Sequence, residues 1–437
     1  MPSAPRLSAL LAFLVLAAVP RLAAEPVVAR VVTHAQAHPD GDAPAAFATA
    51  DYTGDLRDLP IGVFDSGVGG LTVLEAIKAF DAHDNRTGRP GADGVPDFAD
   101  ERFVYFGDQA NMPYGNYPAA GHQDFLRELA LKDAVFLLGR RYWASAGDPA
   151  GPRRDKPPVK AIVIACNTAT AYGLADIRAA IAAWKVPVFV VGVVEAGARG
   201  LAETRGARTG GVAVLATLAT CASNAYPKAI TALSSVPVWQ RGSATLAAAI
   251  EGDPAVKQPI PDIIRQEVRA LLDERRSADT PAPIDTIVLG CTHYPLVQDD
   301  ILRIFAEFRT QRDASGAQPY AALVAADLLI VDPAAWTAQD LWSELVRRDL
   351  RARPGSQRTA RDAFFLSVAN PRWPGVQLAP DGGLDRAYKY SRAEGDLTRE
   401  DTVIVPLTPA GLPASSATLV RTRLPRTWSA LQAAAQN

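Results

Sequence analysis

Continuous apolar runs alternate with amphipathic helical patterns through most of this chain. In "IGVFDSGVGGLTVLEAIKAF", an apolar strand from Ile61 to Phe64 precedes a glycine-rich turn, and Leu71, Leu74 and Ile77 then recur at helical spacing. The same plan returns in "AIVIACNTATAYGLADIRAAI", "GGVAVLATLATCASNAYPKAITAL" and "IDTIVLGCTHYPLVQDDILRIF". Such alternation is typical of parallel sheets covered by helices on both faces. The sequence therefore predicts an α/β fold, and 437 residues are enough for two domains.

Polar residues follow several of these predicted strands at the point where each strand ends. In parallel sheets, ligands bind beyond the carboxyl ends of the strands. Three groups fall at such ends: Asp65-Ser66, Cys166-Asn167-Thr168 and Cys291-Thr292-His293. Two of the chain's three cysteines thus share one local setting, and we expect both to belong to a site.

A thiolate is a good base, but the usual thiol pKa of about 8.5 means that it needs stabilisation near neutral pH. Each cysteine is predicted to open a helix, whose first N–H groups would face the sulfur. His293 can exchange a proton with Cys291, and Asp65, from a neighbouring strand, can do the same for Cys166. Two acid/base groups in one pocket suit removal of a proton from one face of a carbon and its return on the other. That reaction is a racemisation or an epimerisation.

Other interpretations of the two cysteines stay open at this point. Free cysteines are often buried core residues, and a redox pair is a second alternative. A net charge of −2 gives no field that would attract nucleic acid. Three cysteines and five histidines show no zinc-ligand spacing, so no metal is predicted.

Five motifs in order, from about Ile61 to Asp332, carry a resemblance to a known family: "FDSGVGGLTV", "PYG", "ACNTATA", "TLATCASNAY" and "LGCTHYPLV". Together they resemble the cofactor-independent glutamate racemases, within the aspartate/glutamate racemase group. The resemblance implies two similar α/β domains related by a pseudo-twofold axis, with the active site between them. It also implies interconversion of L- and D-glutamate, or of a related amino acid, without a cofactor.

The resemblance further implies a role for each matching residue. Cys166 corresponds to the thiol that works on the D-enantiomer and Cys291 to the thiol that works on the L-enantiomer, assisted by Asp65 and His293 respectively. Glu251 corresponds to a glutamate that helps order the site. The residues expected to bind the substrate are Ser66, Tyr114, Gly115, Asn167, Thr168, Thr220 and Thr292.

The domain boundaries follow from the same match. The first domain is expected at 58–200, completed by about 325–380, and the second at 201–324. A C-terminal extension at 381–437 has no counterpart in the family. Within the last hundred residues, "FFLSVANP", "TVIVPLTP" and "ATLVRTRLP" are predicted as short strands.

The first residues predict export. "MPSAPRLSALLAFLVLAAVPRLAAEP" has a basic start at Arg6, an apolar run from Leu7 to Val19 and small residues at Ala23-Ala24. This pattern indicates a signal peptide at 1–24, cut near Ala24, and a periplasmic or secreted protein without a membrane segment after cleavage. A short membrane-anchoring or buried helix is the alternative. Residues 25–57 are predicted to be a loosely ordered lead-in.

Export departs from the resembled family, whose members normally make D-glutamate for cell-wall peptidoglycan in the cytosol. An exported protein that binds acidic amino acids without turnover is therefore one alternative. A single-thiol relative, such as a decarboxylase or isomerase, is another. The Asp-rich loop at 81–101 resembles calcium-binding loops, although a plain solvated loop is favoured, and a homodimer is one open oligomeric state.

Overall fold

The computed structural model describes residues 26–253, 255–277, 282–355, 361–412 and 414–436, so the predicted signal peptide at 1–24 lies outside the described residues. The strands are β1 (Ile61–Asp65), β2 (Phe103–Gly107), β3 (Ala161–Ile164), β4 (Phe189–Gly192), β5 (Gly211–Thr217), β6 (Val238–Ser243), β7 (Ile284–Gly290), β8 (Val324–Val331), β9 (Ala363–Ala369) and β10 (Thr402–Pro406). The α-helices are α1 (Val27–Ala37), α2 (Leu71–Ala79), α3 (Gln123–Leu138), α4 (Asn167–Trp184), α5 (Val193–Thr204), α6 (Leu218–Ser223), α7 (Ala225–Thr231), α8 (Leu246–Glu251), α9 (Ile260–Arg276), α10 (Gln298–Thr310), α11 (Pro333–Arg347), α12 (Arg386–Ser391), α13 (Ala414–Arg423) and α14 (Pro425–Ala434).

The first domain is built on a six-stranded sheet in the order β10-β9-β2-β1-β3-β4. All neighbours are parallel except β10, which runs antiparallel to β9. Phe64 faces a core that contains α3 and α4, whereas Ile61 and Val63 face a core that contains α2 and α11. Because both faces of β1 are covered, its residues are apolar without alternation, as the sequence predicted.

The second domain is built on a four-stranded parallel sheet in the order β6-β5-β7-β8. Helices α9 and α10 cover one face, and α5 and α7 cover the other. The prediction of two parallel sheets flanked by helices is confirmed. The predicted end of this domain at 324 is wrong, because β8 pairs with β7 through residue 331. As an edge strand β8 is only partly buried, and its sequence lacks the apolar continuity of the inner strands.

The segment predicted as a loosely ordered lead-in contains helix α1, and this prediction is wrong. Val27, Val31 and Ala35 recur every four residues and are buried in the first domain's core. The indole N–H of Trp184 donates a hydrogen bond to the Val32 carbonyl, with 3.4 Å between nitrogen and oxygen. The valines of α1 lie in its first half only, and a pattern of so few turns was too short to indicate a helix.

The region after β8 returns to the first domain. Strands β9 and β10 confirm the predictions for "FFLSVANP" and "TVIVPLTP". The prediction for "ATLVRTRLP" is wrong, because this stretch forms most of helix α13. Ala417, Val420 and Leu424 recur at helical spacing and pack on the same core as α2.

The Asp-rich loop at 81–101 uses its carboxylates to fix its own backbone. Asp81 accepts hydrogen bonds from the N–H groups of Asp93 and Gly94, and Asp97 accepts from those of Ala82 and His83. No cluster of three or more metal-ligating side chains occurs within the described ranges. Among the same residues, none of the helices combines the length and apolar character needed to cross a bilayer.

Candidate active site

Both predicted catalytic cysteines lie just past the carboxyl end of a strand. Cys166 follows β3 and Cys291 follows β7, so each sheet contributes one thiol. Both thiols are free and buried. They line a single cavity of about 40 Å³, whose walls are Asp65, Ser66, Met112, Pro113, Tyr114, Gly115, Cys166, Asn167, Thr168, Thr217, Ala247, Cys291, Thr292 and His293. The structure thus brings together all the predicted site residues except Thr220 and Glu251, which lie directly behind this wall.

Beside Cys291, three side chains form a buried chain of contacts. Nδ1 of His293 lies 3.6 Å from Sγ of Cys291, and Nε2 lies 2.7 Å from Oε1 of Glu251. Burial alone would lower the pKa of His293, but its hydrogen bonds to Cys291 and Glu251 raise that pKa well above the usual range. These contacts therefore favour the protonated imidazole beside the Cys291 sulfur. This arrangement places His293 where it can exchange a proton with the sulfur.

The prediction that Cys291 opens a helix is wrong. An α-helix starting there needs the N–H of residue 295 to bond the Cys291 carbonyl, and Pro295 has no N–H. Instead the N–H of Tyr294 donates to that carbonyl at 3.1 Å, in a tighter turn. Helix α10 begins only at Gln298. The positive partner of Cys291 is thus a side chain, His293, and not a helix terminus.

Cys166 is the N-cap of α4, as predicted, and its sulfur accepts a hydrogen bond from the N–H of Ala169 at 3.3 Å. Its thiol donates to Oγ of Ser66 at 3.7 Å. Burial, and next the negative charge of Asp65, nevertheless raise the pKa of Cys166 far above its usual range. The expected stabilisation of a thiolate by the helix terminus is therefore outweighed here. Both causes favour the protonated thiol at Cys166.

Asp65 ends β1 and is buried beneath the glycine-rich turn. Its Oδ2 accepts a hydrogen bond from the N–H of Gly70 at 2.8 Å. Burial raises the pKa of Asp65, while the nearby His293 acts in the opposite direction. Asp65 lines the same cavity as Cys166 and is therefore a candidate for proton exchange with it.

Three threonine hydroxyls from the two domains meet at one point. Oγ1 of Thr168 lies 3.2 Å from that of Thr217 and 3.1 Å from that of Thr220, and the last two lie 3.0 Å apart. Thr168 and Thr217 line the cavity. Thr220 lies behind them, and its hydroxyl is within hydrogen-bond distance of both of theirs. The triangle joins the start of α4 to the end of β5.

Asn167 and Tyr114 are both held by partners outside the cavity. The hydroxyl of Tyr226 donates to Oδ1 of Asn167 at 2.7 Å, which leaves the amide N–H groups for other acceptors. The hydroxyl of Tyr114, expected to bind substrate, lies 2.5 Å from Oδ2 of Asp108 and 2.7 Å from Oδ2 of Asp133. Tyr114 therefore offers its ring and backbone to the cavity, while its hydroxyl is engaged with the two carboxyl groups.

The glycine-rich turn packs closely against side chains of both domains. A Cβ on Gly69 would lie 2.3 Å from Cε1 of His293, and a Cβ on Gly67 would lie 2.4 Å from Sδ of Met112. Met112 and Ala247 also line the cavity without having been predicted. The glycines themselves were the available signal, because backbone that approaches another chain segment this closely excludes a side chain.

Comparisons with known proteins place this chain among racemases. The family model described as Asp/Glu/Hydantoin racemase matches residues 149–309, a range that contains both Cys166 and Cys291. A glutamate racemase from Lactobacillus johnsonii is 33% identical over 298 residues, which are 68% of this chain and 85% of that protein. One from Beutenbergia cavernae is 34% identical over 322 residues, covering 72% and 87%. Among solved structures, a glutamate racemase isoform from Bacillus anthracis is 27% identical and covers 71% of this chain and 89% of its own, with a TM-score of 0.49.

Proposed function

The chain belongs to the glutamate racemase family, and we propose that it interconverts L- and D-glutamate by proton transfer at the α-carbon. The observation that carries this proposal is the shared cavity, to which each domain contributes one thiol with its own proton partner. Because the two thiols supply both the base and the acid, the reaction needs no pyridoxal cofactor.

In the direction from L to D, Cys291 acts as the base. Its thiolate, paired with the His293 imidazolium, takes the α-proton of L-glutamate. The neutral thiol of Cys166 then gives its proton to the opposite face of the carbon. At the end of this turnover Cys291 is a thiol and Cys166 is a thiolate. Cys291 has gained the proton that left the substrate, and Cys166 has lost the proton that the product received.

The enzyme returns to its starting state by moving a proton back to Cys166. A thiolate at Cys166 is disfavoured by burial and by the negative charge of Asp65, the same two causes that raise the pKa of that thiol. Conversion of D-glutamate to L-glutamate uses this thiolate as the base and runs the steps in reverse. Asp65 is the group that we assign to proton exchange on this side.

The substrate's charged groups are bound by neutral donors and acceptors. The described lining of the cavity includes no Lys or Arg. We therefore assign the carboxylates and the ammonium group to the side chains of Ser66, Asn167, Thr168 and Thr292, with Gly115 contributing its backbone. A cavity of about 40 Å³ holds only a few water molecules, so the lining residues must separate for substrate to enter.

Incubation of the purified chain with L-glutamate in D₂O, without added cofactor, tests this function. We expect D-glutamate to form and to carry deuterium at the α-carbon, and a Cys166→Ser/Cys291→Ser double variant to be inactive. Assays across the common amino acids will show whether another substrate is turned over faster. Tight binding of one enantiomer without α-proton exchange would contradict the proposal and favour a binding protein, and dependence on pyridoxal phosphate would contradict the mechanism.

We also propose that the mature chain begins near Glu25 and works in the periplasm or outside the cell. The support is the basic start, the apolar run and the small residues of 1–24. N-terminal sequencing of protein from separated cell fractions tests this, and an intact Met1 in the cytoplasmic fraction would contradict it.

A further inference from the structure

The last two helices, α13 and α14, form a segment that we name the C-terminal brace (residues 414–434). It is anchored on the first domain, where Val420, Leu424 and Leu431 are buried in the core that α2 also lines. The carboxylate of Glu75, on α2, accepts hydrogen bonds from the N–H groups of Arg426 at 3.2 Å and Thr427 at 2.7 Å. These N–H groups lie in the first turn of α14, where they have no partners within the helix.

The other end of the brace reaches the second domain at Glu251. Oγ of Ser415 donates to the Glu251 carbonyl at 2.8 Å, and Oγ of Ser416 lies 3.4 Å from the same oxygen. Glu251 is the last residue of α8, a helix of only six residues. Carbonyls in the last turn of a helix lack partners within it, so the two serine hydroxyls satisfy this carbonyl from another part of the chain.

Gly252 leaves room for this contact. Its φ is +82°, and a Cβ at this position would lie 2.5 Å from Oγ of Ser415. A side chain there would therefore be strained in its backbone and would displace the serine. A further link lies nearby, where Arg423 donates to the Leu296 carbonyl at 3.2 Å. The brace thus contacts two main-chain carbonyls near Cys291: that of Glu251, whose side chain binds His293, and that of Leu296, which follows His293 in the chain.

We propose that Ser415, with Ser416, is a positioning residue for the Cys291 half of the site. The two hydroxyls fix the main chain of Glu251, and the Glu251 side chain in turn holds Nε2 of His293 at 2.7 Å. The extension, which has no counterpart in the resembled family, thereby supports a proton partner of one thiol only. The catalytic consequence rests on the proposed racemase function, whereas the effect on His293 does not.

Loss of these hydroxyls is expected to slow racemisation modestly. Removal of one or two neutral hydrogen bonds corresponds to about a 2- to 10-fold decrease in kcat/KM in Ser415→Ala and Ser415→Ala/Ser416→Ala. Ser415→Thr retains the hydroxyl and should remain close to wild type. Thr418→Ala is the matched control, because Thr418 is exposed on the same helix and its hydroxyl donates to the Ala414 carbonyl.

Rates alone do not locate the effect, because the enantiomers are equally stable and kcat/KM must fall equally in both directions. Substrate deuterium isotope effects do locate it. If the Cys291 step is slowed, the isotope effect on kcat/KM should rise with α-deuterated L-glutamate and fall with α-deuterated D-glutamate. Equal changes in both, or a loss matched by Thr418→Ala, would overturn the proposal.

A second readout does not depend on turnover. In an NMR titration of histidine-labelled protein, the double serine variant should show the His293 pKa shifted downwards, because a looser Glu251 stabilises the imidazolium less. His293→Gln identifies the resonance. An unchanged His293 titration in a folded variant overturns the positioning role even if wild type does not racemise glutamate, so the two failures are distinguishable.

Discussion

The two halves of the site have the same placement in the fold and opposite electrostatics. Cys166 caps a helix but lies beside Asp65, and burial together with that carboxyl group keeps it a neutral thiol. Cys291 lacks a helix terminus but lies beside the protonated His293, which Glu251 holds in place. Similar strand–helix units thus present one acid and one base. A two-base racemase needs this difference at the start of each turnover.

The comparison also indicates that neighbouring side chains influence the protonation of a thiol more than the secondary-structure element that carries it. The N–H of Ala169 donates to Cys166, yet burial and Asp65 outweigh that contact. At Cys291 the turn enforced by Pro295 removes the helix terminus, and one imidazolium replaces it. The following predictions test this asymmetry.

Replacement of either catalytic thiol should have the largest effect. Cys166→Ser or Cys291→Ser removes a general acid or base, which contributes about 10²- to 10⁴-fold, and racemisation measured by chiral chromatography should fall accordingly. Cys221→Ser is the matched control, since Cys221 lies outside the cavity wall. If one of the two variants keeps near-normal turnover, the chain is a single-thiol enzyme and the comparison fails.

Glu251→Gln should weaken the Cys291 half next. Loss of a charge-assisted hydrogen bond corresponds to about a 10- to 100-fold decrease in kcat/KM. Glu251 helps raise the pKa of His293, so its removal lowers that pKa and the imidazolium is lost at lower pH. The alkaline limb of the pH profile should therefore move to lower pH. An unmoved limb would show that Glu251 does not set the proton state of His293.

Gly69→Ala should disturb the same half from the other domain. The added methyl would lie 2.3 Å from Cε1 of His293, so the ring must shift away from Cys291 or Glu251. We expect about a 10-fold loss of kcat/KM, comparable with the loss of one hydrogen bond, and unchanged circular dichroism. Gly54→Ala is the control, because no atom lies within 4 Å of the added carbon. Full activity in Gly69→Ala would mean that the ring position is not critical.

Among these variants, Asp65→Asn should have the smallest effect, and that effect is on the protonation of the Cys166 thiol. Asp65 is the second cause, after burial, that raises the pKa of Cys166, so removal of its charge lowers that pKa only in part. Alkylation of Cys166 by iodoacetamide, measured in a Cys221→Ser/Cys291→Ser background, should become faster at a given pH. Slower or unchanged alkylation would contradict the assigned influence of Asp65.

Much of the fold was predictable because buried parallel strands leave an unmistakable pattern. Strands such as β1 and β7 are covered on both faces, so their apolar runs are continuous and end abruptly at polar tips. Those polar tips are visible in the sequence, and they correctly predict that Asp65, Cys166 and Cys291 lie at strand ends. The sequence of helix α13 was wrongly predicted to be a strand, because a short apolar run flanked by polar residues fits both the helical and the strand periodicity.

The asymmetry of the site was not predictable from local sequence. Glu251 and His293 are distant in the chain, and their contact depends on how α8 packs behind the turn after β7. Ser415 is farther away still and reaches Glu251 only because the brace folds back over both domains. Pro295 was visible in the sequence and already excluded a helix starting at Cys291, because it lacks the required N–H.

Exchange of the α-proton by the single-thiol variants tests the division of labour between the two halves most directly. Each variant is incubated in D₂O with L- or D-glutamate, and loss of the α-proton signal is followed by NMR. We predict that Cys166→Ser exchanges the α-proton of L-glutamate only, through Cys291, and that Cys291→Ser exchanges that of D-glutamate only, through Cys166. Exchange of both enantiomers by either variant, or the reversed preference, would contradict the assignment of one enantiomer to each thiol.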